Sequence, residues 1–165
     1  MIRDHDRERG PHTIITPAGS LVASLTVQEL IQRAIRHDDA AAMRQAVERL
    51  FAHGEPGALS PEAEYELRHP DYVMEMPQSG ERIRGRENMR AMQEAFPTPP
   101  SITIRRVTGA AKVWVLEGIN DYAGDVWHAI VVFEFDEPGR IVRDTRYYGQ
   151  PFEAPAWRTP WVESI

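Results

Sequence analysis

Two predicted strands in the C-terminal half of this 165-residue chain carry charged residues where acid/base chemistry is possible. Side chains alternate between the two faces of a strand. In the strand predicted over residues 112–121, Asp121 therefore ends a largely apolar face that begins at Val113. A carboxyl group in an apolar cavity has a raised pKa, which suits a general acid or base.

The second strand, predicted over residues 140–148, has Asp144, Arg146 and Tyr148 on one face. A guanidinium group beside a carboxylate favours its ionised form and can also position a substrate oxygen. The two strands together predict an acid/base site that uses Asp121 and Arg146. The alternative is that Arg146 makes one structural ion pair while Glu75 or Asp121 lies in solvent at the end of its strand.

Composition limits what else the site can contain. The chain has no cysteine, which excludes disulfides, thiolate nucleophiles and zinc sites built on sulfur. Its six histidines show no paired ligand spacing, so we expect neither a metal ion nor another cofactor. With 19 Lys and Arg against 25 Asp and Glu, the net charge of -6 would repel a phosphate backbone, and we expect no nucleic-acid partner.

The longest uninterrupted apolar run is residues 129–133, which is far too short to cross a bilayer. The first residues alternate in charge and do not look like a signal peptide. We therefore expect a cytoplasmic protein without a membrane partner.

The elements that must position these residues follow from hydrophobic periodicity. Helices are predicted over residues 25–35 and 40–51, from Ser60 to about His69, and over 86–95. Strands are predicted over residues 71–77, 101–107, 112–121, 125–135 and 140–148. Helices grouped first and strands grouped last, with short connections, predict an α+β fold with an antiparallel sheet.

The length suits one domain. Residues 1–20 carry mixed charges without a hydrophobic period and are predicted to be a flexible extension. The domain itself is predicted over residues 21–150. Residues 151–165 form a tail with three large aromatic side chains, which we expect to pack on the domain or on a dimer partner.

Two stretches resemble a known family. His69 to Asn88, with its HPDYVMEMPQSGERIRGREN sequence, is similar to the first strand and following helix of SnoaL-like, polyketide cyclase-like proteins of the NTF2-like superfamily. Phe135 to Tyr148 resembles their last hairpin, and the resemblance spans about residues 26–150. It implies a cone, in which N-terminal helices wrap a curved sheet and enclose a pocket for a hydrophobic small molecule, and it implies a homodimer.

The same resemblance implies a range of activities. The superfamily includes polyketide cyclases, ketosteroid isomerases, limonene-type epoxide hydrolases, scytalone dehydratases and non-catalytic binding modules. We expect a cofactor-free acid/base enzyme of cyclase, epoxide hydrolase, dehydratase or isomerase type that acts on a hydrophobic, oxygenated substrate. The alternative is a non-catalytic ligand-binding or dimeric assembly module, because a fold alone does not determine a function.

Compared with the limonene-type epoxide hydrolases, Asp121 stands where they have their first aspartate, but Ile119 replaces their arginine. Arg146 stands in place of their second aspartate, and Glu75 in place of their water-holding asparagine. The resemblance therefore implies a rearranged catalytic cluster of Glu75, Asp121 and Arg146. The ketosteroid isomerase carboxyl groups would fall near Met76 and Val131, which disfavours steroid isomerisation.

Substrate contacts are predicted from the same strand faces. Trp127 and Tyr148 would form an aromatic wall for a flat, ring-bearing ligand, and Ile119 and Asp144 lie on strand faces that the cavity could use. His128 could form the His-Asp pair of a dehydratase if it faces inward; otherwise it is a partly buried histidine or a dimer contact. Which strand face lines the cavity stays open at this stage.

Overall fold

The structure, a computed structural model, describes residues 25–165. The helices are α1 (Val27–His37), α2 (Ala40–Leu50), α3 (Pro61–Leu67) and α4 (Arg86–Ala95). The strands are β1 (Arg68–Met76), β2 (Glu81–Arg84), β3 (Ser101–Ala110), β4 (Val113–Tyr122), β5 (Asp125–Phe135) and β6 (Ile141–Gly149), and a 3-10 helix spans Ala156–Trp161. The α+β fold is confirmed, whereas the predicted extension over residues 1–20 lies outside the described residues.

The six strands form one curved sheet in the order β2-β1-β6-β5-β4-β3. All neighbouring strands are antiparallel except β1 and β6, which run parallel. A parallel pair requires a long crossover connection, and α4 with β2 to β5 supplies it. The first strand therefore pairs with the last one, next to the edge strand β2.

Each early helix begins at a side chain that accepts hydrogen bonds from backbone N–H groups left free in the first turn. Thr26 and Glu29 form a reciprocal capping box at the start of α1. Asp39 accepts from the backbone N–H of Ala42 at 3.0 Å, and Ser60 caps α3. The helix boundaries are thus encoded locally in the sequence.

One end of the cone is closed by contacts between α1 and two hairpin turns. The side-chain amide of Gln28 donates to the Pro138 carbonyl at 2.7 Å in the β5–β6 turn. Asp38, which follows α1, accepts from the Ala111 backbone N–H at 2.7 Å in the β3–β4 turn. The Trp114 indole N–H donates to the Ala111 carbonyl at 2.9 Å, and the ring is fully buried. These contacts join α1 to the β3–β4 and β5–β6 turns.

The tail after β6 does not pack as expected on its own domain. Phe152, Trp157 and Trp161 are 79%, 70% and 78% exposed. Arg158 stacks over the Trp157 ring within the tail itself. Packing of the tail on a partner stays a prediction.

Gly109 provides a test of the closed end. A Cβ atom there would lie 2.4 Å from the Val113 carbonyl oxygen and 2.7 Å from the Trp114 Cα, both backbone atoms that cannot rotate away. We expect Gly109→Ala to lower the free energy of unfolding by about 1–3 kcal/mol. Gly149→Ala, also in a strand, meets nothing within 4 Å and is the matched control in urea unfolding. Equal stability of the two variants would contradict the packing described for this hairpin.

Candidate functional site

A cavity of about 470 Å³ lies between the sheet, α3 and α4. Its volume is within the range of about 300–1,000 Å³ that is typical of small-molecule sites. Most of its wall is apolar and includes Met74, Met76, Phe96, Leu116, Ala129 and Val131. It is therefore a place where a hydrophobic ligand can be removed from water.

The face of β4 that points toward this cavity is the opposite of the one predicted to carry the acid/base group. Trp114, Leu116 and Asn120 are buried and define the inner face of the sheet, together with Gly118 between them. Val113 is 50% exposed on the outer face. An alternation pattern fixes which residues share a face, but a change of one residue in the assignment moves every side chain to the other side.

Asp121, Ile119 and His128 consequently lie outside the cavity. The Asp121 carboxylate accepts from the Gly124 backbone N–H at 2.6 Å in the β4–β5 turn, a common role for aspartate. Ile119 pairs with the exposed His128 on the outer face. The predicted roles of Asp121 as acid or base, and of Ile119 and His128 as substrate contacts, are wrong for this cavity.

Glu75 also faces outward, because Tyr72, Met74 and Met76 occupy the inner face of β1. Its carboxylate lies 2.6 Å from Arg82 and 2.9 Å from Arg143. Partial burial opposes the charge of Glu75, but these two guanidinium groups outweigh it and lower its pKa. The predicted cluster of Glu75, Asp121 and Arg146 therefore does not form.

Arg146 does reach the cavity, and it is held by a buried network on β1 and β6. Its Nε and Nη2 atoms donate to Asp144 at 2.7 and 3.1 Å, and the Tyr72 hydroxyl donates to the same carboxylate at 2.5 Å. Asp144 is only 1% exposed and does not line the cavity, so its predicted contact with substrate is indirect. Burial opposes the charge on Arg146, but Asp144 more than offsets this and raises the pKa of the guanidinium.

Two further polar side chains line the cavity. The Tyr148 ring lies in the wall as predicted, and its backbone N–H and carbonyl both bond to the Gln78 side chain. Asn120 is 7% exposed, and its side-chain amide has no hydrogen-bond partner among residues 25–165. Trp127 shares the inner face but lies beyond the cavity wall, where its indole donates to Asp125 at 3.0 Å.

The helical wall adds an ion pair. Arg68 is 4% exposed and donates to Glu64 at 2.6 Å, while the Gln93 amide donates to the same carboxylate oxygen at 2.6 Å. The Arg68 guanidinium also lies over the Tyr72 ring at 5.4 Å. Because every arginine here has a carboxylate partner, the cavity offers hydrogen-bond donors without a large net positive charge.

Sequence reasoning missed Tyr72, Asn120 and Arg68. The parity of Tyr72 with Met74 was visible, but its partner Asp144 lies 72 residues away. Asn120 could have been found by taking the large Trp114 as the inward residue of β4 and counting in steps of two.

Across residues 25–165, no group of three or more His, Asp or Glu side chains could hold a metal ion, and no helix is long and apolar enough to cross a membrane.

Comparison with solved structures now identifies the fold family. An NTF-2 like protein of unknown function from Burkholderia xenovorans LB400 is 34% identical to this chain, with a TM-score of 0.63. The match covers 74% of this chain and 94% of that protein. The chain belongs to the NTF2-like family.

Other NTF2-like neighbours resemble it in fold alone. A steroid delta-isomerase from Pseudomonas aeruginosa is 20% identical over 66% of this chain and 78% of its own, with a TM-score of 0.53. An LEH-like epoxide hydrolase from M. tuberculosis is 19% identical over 65% and 81%, with a TM-score of 0.52. No family model matches this NTF2-like chain, and no curated protein matches it significantly.

The buried network predicts an alkaline instability. Burial, followed by the negative charge of Asp144, raises the pKa of Tyr72 above its ordinary value of 10.0. When the pH rises above this ordinary value, the unfolded chain loses the Tyr72 proton while the folded protein keeps it. The free energy of unfolding must therefore fall. We expect Tyr72→Phe to flatten this decline in urea unfolding between about pH 8 and pH 11. The control Tyr147→Phe, at an exposed outer position, should show the same decline of the free energy of unfolding with pH as wild type. If Tyr72→Phe also shows that decline, the prediction is contradicted.

Proposed function

We propose that this NTF2-like protein binds a hydrophobic, oxygenated small molecule in its cavity and acts on it by cofactor-free acid/base chemistry of isomerase or hydrolase type. Within the family, the sequences of residues 69–88 and 135–148 favour the SnoaL-like proteins. The observation that carries the proposal is the Arg146 guanidinium, fixed by Asp144 and facing a largely apolar cavity.

Arg146 has hydrogen-bonding capacity to spare. A guanidinium group has five N–H donors, and Asp144 accepts two of them, from Nε and Nη2. The remaining donors can bind a carbonyl or epoxide oxygen of a ligand. A fixed positive donor in a site of low dielectric constant stabilises negative charge that develops on such an oxygen, and this lowers the barrier to enolisation or ring opening.

The proton acceptor must come from elsewhere in the wall. Glu64 is paired with Arg68, and Glu94 with Arg90 at 3.0 Å. His53, whose side chain is exposed, also lines the cavity, and a neutral imidazole has a ring nitrogen that can accept a proton. We therefore assign His53 as the candidate general base.

The route of the ketosteroid isomerases is not supported. The positions where their carboxyl groups would fall, Met76 and Val131, are apolar parts of the cavity wall. Chemistry that begins with polarisation of an oxygen by Arg146 agrees better with these side chains.

Binding of matched aromatic probes tests the role of Arg146. The variant combines Arg146→Met with Asp144→Asn, so that no carboxylate is left buried without a partner and Tyr72 keeps an acceptor. We expect it to bind para-acetylbiphenyl about ten-fold more weakly than wild type, because a hydrogen bond from a charged donor is lost. Its affinity for para-ethylbiphenyl, which has no oxygen, should not change.

Arg143→Met, which removes an arginine from the outer face, is the matched control for isothermal titration calorimetry. It should leave the affinity for both probes unchanged. If the double variant loses affinity for both probes equally, or if wild type binds neither probe, the proposed site is contradicted.

We further propose that the protein forms a homodimer in which the tail of each copy packs on the outer sheet face of the other. On that face Val113, Ile130 and Tyr147 are 50%, 44% and 42% exposed. Large aromatic side chains bury about 150–250 Å² each, so the three tail aromatics from two copies approach about 1,000 Å². Together with the sheet residues, this is in the range of a stable interface of about 1,600 Å².

The molecular mass in solution tests the dimer. We expect wild type to sediment as a dimer, and a variant with Trp157→Ser and Trp161→Ser to dissociate at micromolar concentration because its apolar contact area is lost. Arg158→Ser, between the two tryptophans, is the matched control and should remain dimeric. A monomeric wild type would contradict the proposal.

A further inference from the structure

The side chain of Asn120 lies in the cavity wall. It is 7% exposed, and its amide forms no hydrogen bond with any of residues 25–165. The amide is not among the described side-chain groups that are both sealed from solvent and without a partner, so its donors and acceptor reach the cavity space. They are therefore free to form hydrogen bonds with a ligand in the cavity.

Sheet register fixes the distance between Asn120 and Arg146. Arg146 is level with Val131 on β5, and Val131 is level with Leu116 on β4. Asn120 lies four residues further along β4, so the two side chains start two strands and four residues apart. With about 4.8 Å between strands and about 3.3 Å per residue, their Cα atoms are separated by about 16 Å.

The two side chains also differ in what they recognise. Arg146 only donates hydrogen bonds, so it selects an acceptor such as a carbonyl or epoxide oxygen. The Asn120 amide both donates and accepts, which matches a hydroxyl group. Between them the wall includes the apolar side chains of Leu116, Ala129 and Val131.

We infer that the ligand is bifunctional: a rigid, ring-bearing body with an acceptor oxygen at the Arg146 end and a hydroxyl group at the Asn120 end. This inference rests on the proposed function, since it assigns a second recognition point to the same cavity. Asn120 is thus the residue that distinguishes a hydroxylated ligand from one without the hydroxyl group.

The test uses two probes that differ by one hydroxyl group, para-acetylbiphenyl and its para′-hydroxy derivative. Wild type should bind the hydroxylated probe about 2- to 10-fold more tightly, the gain expected from one hydrogen bond. Asn120→Leu should remove this difference between the two probes. Asn120→Ala, which introduces no bulk, is the second variant and should give the same result.

The outcomes separate this inference from the proposed function. If wild type binds both probes equally, or if Asn120→Leu weakens both alike, Asn120 does not read a hydroxyl group; the proposed function still stands as long as binding of para-acetylbiphenyl depends on Arg146. If neither probe binds, both the inference and the proposed function are overturned.

Discussion

The buried bonds among Tyr72, Asp144 and Arg146 connect the fold to the site. Tyr72 lies on β1 and the other two on β6, the parallel pair that joins the beginning of the sheet to its end. Breaking one partner of a buried ion pair typically costs about 3–5 kcal/mol, because the remaining charge has no compensation. The same network therefore stabilises the parallel pair of β1 and β6 and fixes the direction in which Arg146 enters the cavity.

Periodicity and capping predicted the elements of this fold well, because these signals are local. The predicted helix over residues 86–95 agrees with α4, and the strand over 125–135 agrees with β5. The parallel pairing of β1 and β6 was not predicted. It depends on contacts such as that of Tyr72 with Asp144, which join residues far apart in the sequence.

The site was predicted less well, because its prediction required one global choice, the face of β4 that lines the cavity. Both faces of that strand are largely apolar, with Val113 and Ile119 outward and Trp114 and Leu116 inward. Alternation alone therefore could not separate them. Arg146 and Tyr148 both line the cavity, although β6 carries polar side chains on both faces, with Arg143 on the outer one.

The apolar outer face and the unpaired polar group inside have related physical consequences. Val113 and Ile130 expose apolar side chains to water on the outer face, and the Asn120 amide faces the cavity with no bond to any of residues 25–165. In the proposed dimer a second copy would remove water from Val113 and Ile130, and in the proposed complex a ligand would complete the hydrogen bonds of Asn120. The two faces of one sheet would then serve two kinds of binding, association on the outer face and recognition of a small molecule on the inner face.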